Sequence, residues 1–386
     1  MLPSTLLGLL FRGSTLAPPS AGFLVILLLA PGQSVHGQEA PLLGEACEPC
    51  EVVATPVAVF GDPEGGGLIE SESLLMDVDE DGRFYVISRP ATQVQVFGPE
   101  GTFLQSVGGE GDGPGEFRWA QGLHIDEAGR LLVIDRLVGR ISIFDSGLNL
   151  VRTIPLTEPA AGFELFSLSG DSILMSGYDF SPQYFGTSAH VVAPDGRRVR
   201  SFGEPTYPIA STRDPFDLLR TITPRADGEL WIAGWSRFQI ERWSLGGDRL
   251  DSMRWSDPAF QPPEPVPNRP PPPRPALVSV QEDSNGVLWA VANVPGANWA
   301  EAVRPSGADP HGFAMEDPDL WTDAKVTAID PEEHVVLATA RFEQGQFTNL
   351  FGEQLIGRVS WDAESESLKI HVMRLKLADH PGGDTW

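Results

Sequence analysis

The sequence predicts an all-β protein: a six-bladed β-propeller whose four-stranded antiparallel blades form a ring closed by the N-terminal strand. The first observation behind this prediction is a pair of short turns that recurs along the chain at the spacing of a four-stranded meander. The second is the lack of any sustained helical period in a sequence that contains 41 Gly and 35 Pro, as expected for a chain that turns often.

The first turn of each repeat is followed at once by a short apolar strand. These turns are Asp81-Gly82, Ala128-Gly129, Gly170-Asp171, Asp227-Gly228 and Asn285-Gly286. The second turns are Glu100-Gly101, Gly147-Leu148, Asp195-Gly196, Gly246-Gly247 and Glu332-Glu333. Because Asp-Gly and Asn-Gly turns between alternating strands indicate β-hairpins, each unit is predicted to be one blade of about 40–50 residues.

A sixth blade is predicted from both ends of the chain. The segments Leu350–Asp362 and Leu368–Leu377 form a unit that lacks an outer strand, whereas Glu51–Gly61 has the pattern of an outer strand without a unit of its own. Pairing between the two would remove the exposed edges of an open array. We therefore expect residues 52–60 to pair with the C-terminal strands.

Two adjacent segments carry a resemblance to a known family. Val94–Leu104 (VQVFGPEGTFL) and Gly108–Phe117 (GGEGDGPGEF) resemble the NHL repeat, in which a strand ending in "vFd-x-x-G" is followed by a glycine-rich loop ending in "G-x-F". In the second unit, Leu132–Asp135 (LVID) and Arg140–Asp145 (RISIFD) are similar to the family's "yVaD" and "RiqvFd".

The resemblance is close over residues 72–155 and degenerate afterwards. In the first unit, Ser88 and Gln93 stand where the family has Asp and Arg, so this pair is not uniform. The resemblance implies a bacterial, secreted NHL-like propeller. Such rigid rings present their loops to ligands, but propellers host many activities.

The N-terminal residues 1–37 are predicted to be a signal peptide. Arg12 precedes the apolar run Ala21–Ala30, and Val35-His36-Gly37 provides a cleavage site. An uncleaved anchor is the alternative. The predicted order is a signal peptide, a short segment 38–50, the propeller 51–377 and a tail 378–386, and the location is periplasmic or secreted.

The two cysteines lie in Cys47-Glu48-Pro49-Cys50. A CxxC pair can be a redox motif, half of a zinc site or a local disulfide. No second CxxC or paired His is available for zinc, and an exported protein favours oxidised cysteines. A disulfide between Cys47 and Cys50 is the prediction.

The net charge of −26 argues against nucleic acid as a partner, because an acidic surface repels phosphates. We expect a monomer that binds a protein, peptide or glycan and does not insert into a membrane after signal removal. No cofactor is expected. Zinc or calcium is the alternative, the latter on Glu110, Asp112 and Glu116 in the glycine-rich loop.

Aligned positions in four inner strands predict a polar ring at the central channel. His124 lies five residues before its turn glycine, and the equivalent residues are Asp77, Thr223 and Gln281. The ring would form either a ligand or metal pocket or the lining of a water-filled channel.

The loops between the second and third strands should form a second candidate surface near the channel mouth and His124. They carry Arg136, Tyr178, Trp235 and Arg237, and aromatic and Arg side chains on one face are typical of binding surfaces. Ordinary packing at the blade edges is the alternative.

No catalytic motif is evident, and no catalytic residue is assigned. The sequence favours a non-catalytic binding or scaffold module. The alternative is a metal-dependent propeller enzyme, resembling a lyase or a lactonase-like hydrolase, with its site at the channel. Neither family's set of metal ligands is complete here.

Overall fold

Antiparallel sheets of four strands repeat along the chain, as the turn rhythm predicts. The computed structural model describes residues 43–45, 50–61, 65–71, 73–158, 163–177, 185–204, 215–261, 269–305, 313–343, 345–362 and 364–379. All of them belong to a unit formed by residues 39–386. The protein is a six-bladed β-propeller, and the predicted fold class is confirmed.

The strands follow one another in blade order. Two N-terminal strands come first, β1 (Gly44–Glu45) and β2 (Cys50–Phe60). Blade 1 contains β3 (Leu74–Val78), β4 (Phe84–Ser88), β5 (Gln93–Phe97) and β6 (Phe103–Gly108). Blade 2 contains β7 (Ala120–Ile125), β8 (Leu131–Asp135), β9 (Arg140–Phe144) and β10 (Leu150–Pro155). Blade 3 contains β11 (Leu165–Ser167), β12 (Ile173–Ser176), β13 (Ala189–Val192) and β14 (Arg198–Phe202).

The second half of the ring has longer strands. Blade 4 contains β15 (Arg220–Pro224), β16 (Glu229–Gly234), β17 (Gln239–Ser244) and β18 (Arg249–Arg254). Blade 5 contains β19 (Ala276–Glu282), β20 (Leu288–Pro295), β23 (Thr322–Asp330) and β24 (Val335–Phe342), with the hairpin β21 (Val303–Pro305) and β22 (Phe313–Met315) inserted after β20. Blade 6 contains β25 (Gln346–Phe351), β26 (Leu355–Asp362), β27 (Ser367–Asp379) and the N-terminal β2.

The only helical segments among these described residues are 3₁₀ turns, at Ser169–Asp171, Pro215–Leu218, Pro258–Phe260 and Pro318–Leu320. Within the described ranges, no helix has the length and apolar character needed to cross a membrane.

The ring closes as predicted. The N-terminal β2 pairs antiparallel with β27, from Cys50 opposite Asp379 to Phe60 opposite Ile370. The Phe60 ring is buried and stacks on Phe97 of blade 1, with the ring centroids 4.6 Å apart. Burying a Phe side chain stabilises a fold by about 1.5–3 kcal/mol, so this contact helps to join the two ends of the array.

A second N-terminal contact was not predicted. The short strand β1 adds to the outer edge of blade 5 as a parallel strand, with Gly44 opposite Val335. Leu43 is buried in the core between blades 4 and 5, and its N–H donates to the Arg254 carbonyl at 2.8 Å. The N-terminal segment therefore binds blades 4 and 5 before β2 completes blade 6.

The strand register defines two faces of the ring. In blade 2 the inner strand ends where Ile125 pairs with Leu131, and it begins where Ala120 pairs with Asp135. The turns after the first and third strands therefore lie on one face, the turn face. The loops after the second strands and the connections between blades lie on the opposite face, the loop face.

Candidate ligand site at the central channel

The Asp and Arg of the NHL-like pattern have structural partners in blade 2. The buried Asp135 carboxylate accepts the N–H groups of Arg118 and Trp119, at 2.8 and 3.2 Å, and those of Leu137 and Val138. Arg140 donates to backbone carbonyls of the glycine-rich loop, at Asp112, Gly113 and Glu116. These two residues hold the loop that leads into β7.

The acids of the glycine-rich loop also contact protein groups. Arg118 binds Asp112, with Nε 3.0 Å from Oδ1, and lies 3.5 Å from Glu110. Glu116 accepts the Gly113 N–H at 2.7 Å. Across the described part of the chain, no group of three or more His, Cys, Asp or Glu side chains is arranged to hold a metal ion.

The inner strands surround a cavity of about 480 Å³ at the ring centre. Its polar lining includes all four members of the predicted ring, Asp77, His124, Thr223 and Gln281, together with Glu127, Glu164 and Asn349. The alignment of the repeat units therefore brought together residues that are far apart in sequence. Whether they bind a ligand stays a prediction.

His124 and Asp77 form the central polar contact of this cavity. Asp77 Oδ2 lies 3.0 Å from His124 Nδ1 and accepts the Ile125 N–H at 2.8 Å, while Oδ1 accepts the Val78 N–H at 2.9 Å. A carboxylate accepts a hydrogen bond, so the proton of a neutral His124 lies on Nδ1 and Nε2 is an acceptor. The His124 ring packs edgewise on Phe166, with centroids 5.1 Å apart.

The other ring residues bind neighbouring strands. Gln281 Nε2 donates to the Gly352 carbonyl at 2.9 Å, and Thr223 Oγ1 donates to the Val280 carbonyl at 2.5 Å. The Asn349 side chain binds both backbone groups of Met76: Oδ1 accepts the Met76 N–H at 3.0 Å, and Nδ2 donates to the Met76 carbonyl at 2.9 Å. These bonds join inner strands of different blades and fix the cavity wall.

Glu164 is a channel residue that the sequence did not reveal. It precedes β11, and Thr221 Oγ1 of blade 4 donates to its Oε1 at 2.7 Å. Burial raises the pKa of Glu164 to about 7, although hydrogen bonds from Ser176, Thr221 and the Ile222 backbone and the charge of Arg89 act in the opposite direction. A carboxyl group with such a pKa exchanges protons near neutral pH, as functional acids often do.

A glycine allows Glu164 to reach the channel. A Cβ on Gly122 would lie 2.4 Å from the Phe163 carbonyl oxygen and 2.9 Å from Ile134 Cγ2. Only a residue without a side chain lets the segment before β11 approach β7 this closely. Gly122 thereby sets the position of Phe163 and Glu164, which both line the cavity.

At the loop-face mouth of the channel, three aromatic side chains in contact lie between two Arg side chains. Arg89 lies over the Phe163 ring at 5.0 Å, Phe163 stacks on Trp235 with centroids 6.1 Å apart, Trp235 meets Phe216 edgewise, and Arg274 lies over Phe216 at 4.4 Å. We call these five residues the mouth cluster. Burial lowers the pKa of Arg89, and the nearby Glu164 carboxylate opposes that change.

The four predicted loop-face residues do not form one continuous surface among the described residues. Trp235 belongs to the mouth cluster, whereas the exposed Arg136 lies over the Trp119 ring at 5.7 Å and Arg237 is exposed. Tyr178 lies outside the described residues, as does Cys47, so the pairing of Cys47 with Cys50 stays a prediction.

One expectation about this surface is wrong. We expected the loop-face residues to lie near His124, but His124 pairs with Leu132 beside the first turn of blade 2. It is therefore near the turn-face end of the channel, whereas Trp235 follows β16 at the loop face. Aligning the repeat units correctly identified four residues that line the channel. It did not indicate that His124 lies near the turn-face end of that channel.

Comparisons with known proteins agree with the fold. A family model described as a 6-bladed beta-propeller matches residues 68–169. The structure is similar to a member of the DUF4221 family from Bacteroides vulgatus, with a TM-score of 0.55 and 11% identity over 86% of this chain and 99% of that one. It is also similar to a candidate exported protein from Bacteroides fragilis, with a TM-score of 0.54 and 9% identity over 87% and 98% of the two chains.

A weaker likeness is to a virginiamycin B lyase from Staphylococcus aureus, with a TM-score of 0.44 and 12% identity over 85% of this chain and 99% of that one. No curated protein matches this chain in sequence. At such identities the likeness concerns the fold alone, and the lyase carries no argument about activity.

Proposed function

We propose that this protein is an extracytoplasmic, NHL-like propeller that binds a protein, peptide or glycan segment at the loop face without catalysis. The mouth cluster is the observation that carries the proposal. Trp and Arg are the residues that contribute most to binding when a partner desolvates them, and here they converge on the mouth of a cavity.

Unpaired polar atoms in the same region support the proposal. Arg89 Nε, Trp235 Nε1 and Ser236 Oγ are buried and have no hydrogen-bond partner among the described residues. Such atoms are normally paired with protein, water or a ligand, because an unpaired buried donor costs about 1–3 kcal/mol. A ligand carbonyl or hydroxyl would provide the missing acceptors.

The proposed location rests on the N-terminal sequence. Arg12 and the apolar run Ala21–Ala30 have the composition of an export signal. The structurally similar protein from Bacteroides fragilis is described as a candidate exported protein, which agrees with this proposal.

The test is a binding screen followed by matched substitutions. Purified protein is applied to arrays of synthetic peptides and of purified glycans, and the tightest binder is then titrated against Trp235→Ala and Trp361→Ala. Trp361 is 49% exposed on blade 6 and does not belong to the mouth cluster. We expect Trp235→Ala to weaken binding by about 1 kcal/mol or more, which is roughly fivefold, and Trp361→Ala to leave it unchanged.

Three outcomes would contradict the proposal. One is the absence of any binder on either array, and another is equal binding by the two variants while thermal melting shows both to be folded. The third is a stoichiometric, tightly held metal ion in the purified protein, which would favour the metal-dependent enzyme instead.

A further inference from the structure

The charged residues that line the channel are of one sign. Asp77, Glu127 and Glu164 contribute carboxyl groups, and the described lining residues include no Lys or Arg. Asp77 and Glu127 lie at the turn-face end, where the inner strands finish. Because low-dielectric walls concentrate an electrostatic field, an acidic cavity raises the local concentration of cations.

The uncharged lining at this end also suits a cation. Phe166 and Phe351 line the cavity, and Phe166 packs edgewise on His124. Aromatic rings attract ammonium and guanidinium groups. His124 donates through Nδ1 to Asp77, and its side chain is 21% exposed, which leaves Nε2 as an acceptor. A primary ammonium group has three donors and no acceptor, so it is complementary to these atoms.

We infer that the turn-face end of the channel binds an organic cation, an ammonium or guanidinium group, supplied by a peptide side chain or by a small polyamine. A metal ion fits less well, because both oxygens of Asp77 already accept hydrogen bonds from Val78, Ile125 and His124. An organic cation needs the charge of Asp77 and an aromatic wall, but it does not need to displace these bonds. The loop-face mouth, with its Arg residues, is a separate surface.

The probes are spermidine and Nα-acetyl-lysine amide, with Nα-acetyl-norleucine amide as the control that keeps the methylene chain and lacks the ammonium group. Binding is measured by calorimetry at about 50 mM salt and again at about 500 mM. We expect both cationic probes to bind, with weaker binding at high salt because ions screen the attraction. The norleucine probe should not bind, and the tighter cationic probe indicates whether a peptide or a polyamine is the source.

Two substitutions that each remove one negative charge from the turn face test where the cation binds. Glu127 is exposed and lines the cavity, whereas Glu333 is exposed on the same face at the turn between β23 and β24. Glu127→Gln should weaken binding of the tighter cationic probe roughly fivefold, as expected for one lost charge interaction near a surface, and Glu333→Gln should leave it unchanged.

The inference is overturned if neither cationic probe binds, if the norleucine probe binds equally well, or if the two variants weaken binding equally. Each of these results leaves the loop-face proposal standing, because that proposal is tested with Trp235→Ala. Loss of the array ligand in Trp235→Ala with unchanged spermidine affinity would show two independent sites.

Discussion

Asp135 and Arg140 are register partners at the loop-face end of blade 2, and each secures a different part of the chain that leads into β7. The Asp135 carboxylate accepts hydrogen bonds from backbone N–H groups, whereas the Arg140 guanidinium donates hydrogen bonds to backbone carbonyls. The pair therefore satisfies backbone donors and acceptors of the irregular segment that leads into β7. This explains in physical terms why an acid and a base occupy these two positions of blade 2.

Replacing Asp135 with Ala should destabilise the protein by about 3 kcal/mol, because several buried N–H groups lose their acceptor together. Urea denaturation monitored by circular dichroism measures the change. Asp145→Ala is the matched control. Asp145 lies at a turn where it accepts the Asn149 N–H, so its loss should cost about 1 kcal/mol or less. Equal losses in the two variants would mean that the loop does not depend on Asp135.

Deleting residues 38–62 should lower the melting temperature sharply. The deletion removes β2, which is 11 residues long, together with the buried side chains of Leu43, Val52 and Phe60. Blade 6 would then lose its outer strand and expose an unpaired edge. Deleting only residues 38–42 is the control. A full deletion that melts like the intact chain would show that closure by β2 contributes no stability.

Glu164 should make stability depend on pH. Its folded-state pKa of about 7 is higher than the ordinary Glu value of 4.5, so folding favours the protonated form. The contribution of Glu164 protonation to the free energy of unfolding is fully present below pH 4.5 and is lost as the pH rises towards 7. Relative to the native protein, Glu164→Gln should therefore gain stability between pH 5 and pH 8. Urea denaturation across this range tests the sign, and a stability difference between Glu164→Gln and the native protein that is the same at pH 5 and pH 8 would contradict it.

Gly122→Ala should destabilise the protein by about 1–3 kcal/mol, since the added methyl group would overlap the Phe163 carbonyl. Thermal melting measures the loss. The same substitution at Gly139, where a Cβ would have no neighbour within 4 Å, controls for the added methyl, although its positive φ of 71° carries a cost of its own. A Gly122→Ala variant at least as stable as Gly139→Ala would remove the steric explanation for the position of Glu164.

Cys47 and Cys50 should form a disulfide that contributes little stability. The loop between them is very short, so the expected contribution is below the roughly 3 kcal/mol of a 15-residue loop. Mass spectrometry without reduction should find the pair two hydrogens lighter than after reduction. Alkylation of two free thiols in protein freshly purified from an oxidising compartment, or a bound zinc ion, would contradict this.

The sequence predicted those features that repeat from blade to blade. Turn spacing located the strands, and the unpaired pattern at Glu51–Gly61 located the closing strand. The polar ring followed because His124 and Asp77 have the same offset from their turn glycines. Even the irregular first unit is consistent, since Ser88 accepts the Glu70 N–H where the second unit uses Asp135.

Features that depend on one contact between blades could not be predicted. Glu164 lies before the irregular turn of blade 3, and its hydrogen-bond partner Thr221 lies 57 residues away in sequence, on blade 4. The strand β1 has only two residues and no periodic signal. The mouth cluster combines loops of four different blades, so its stacking appears only when the ring is formed.

The positions of Gly44 and Asp379, near the two ends of the described part of the chain, determine how an attached body would orient the ring. Cys50 lies opposite Asp379, and Gly44 lies opposite Val335 just after a turn of the turn face. A tether joined before Gly44 or after Asp379 would therefore leave from the turn face. The mouth cluster would then point away from the membrane or neighbouring domain to which the tether is attached. It would remain open to large partners, whereas the acidic end of the channel would face the attachment.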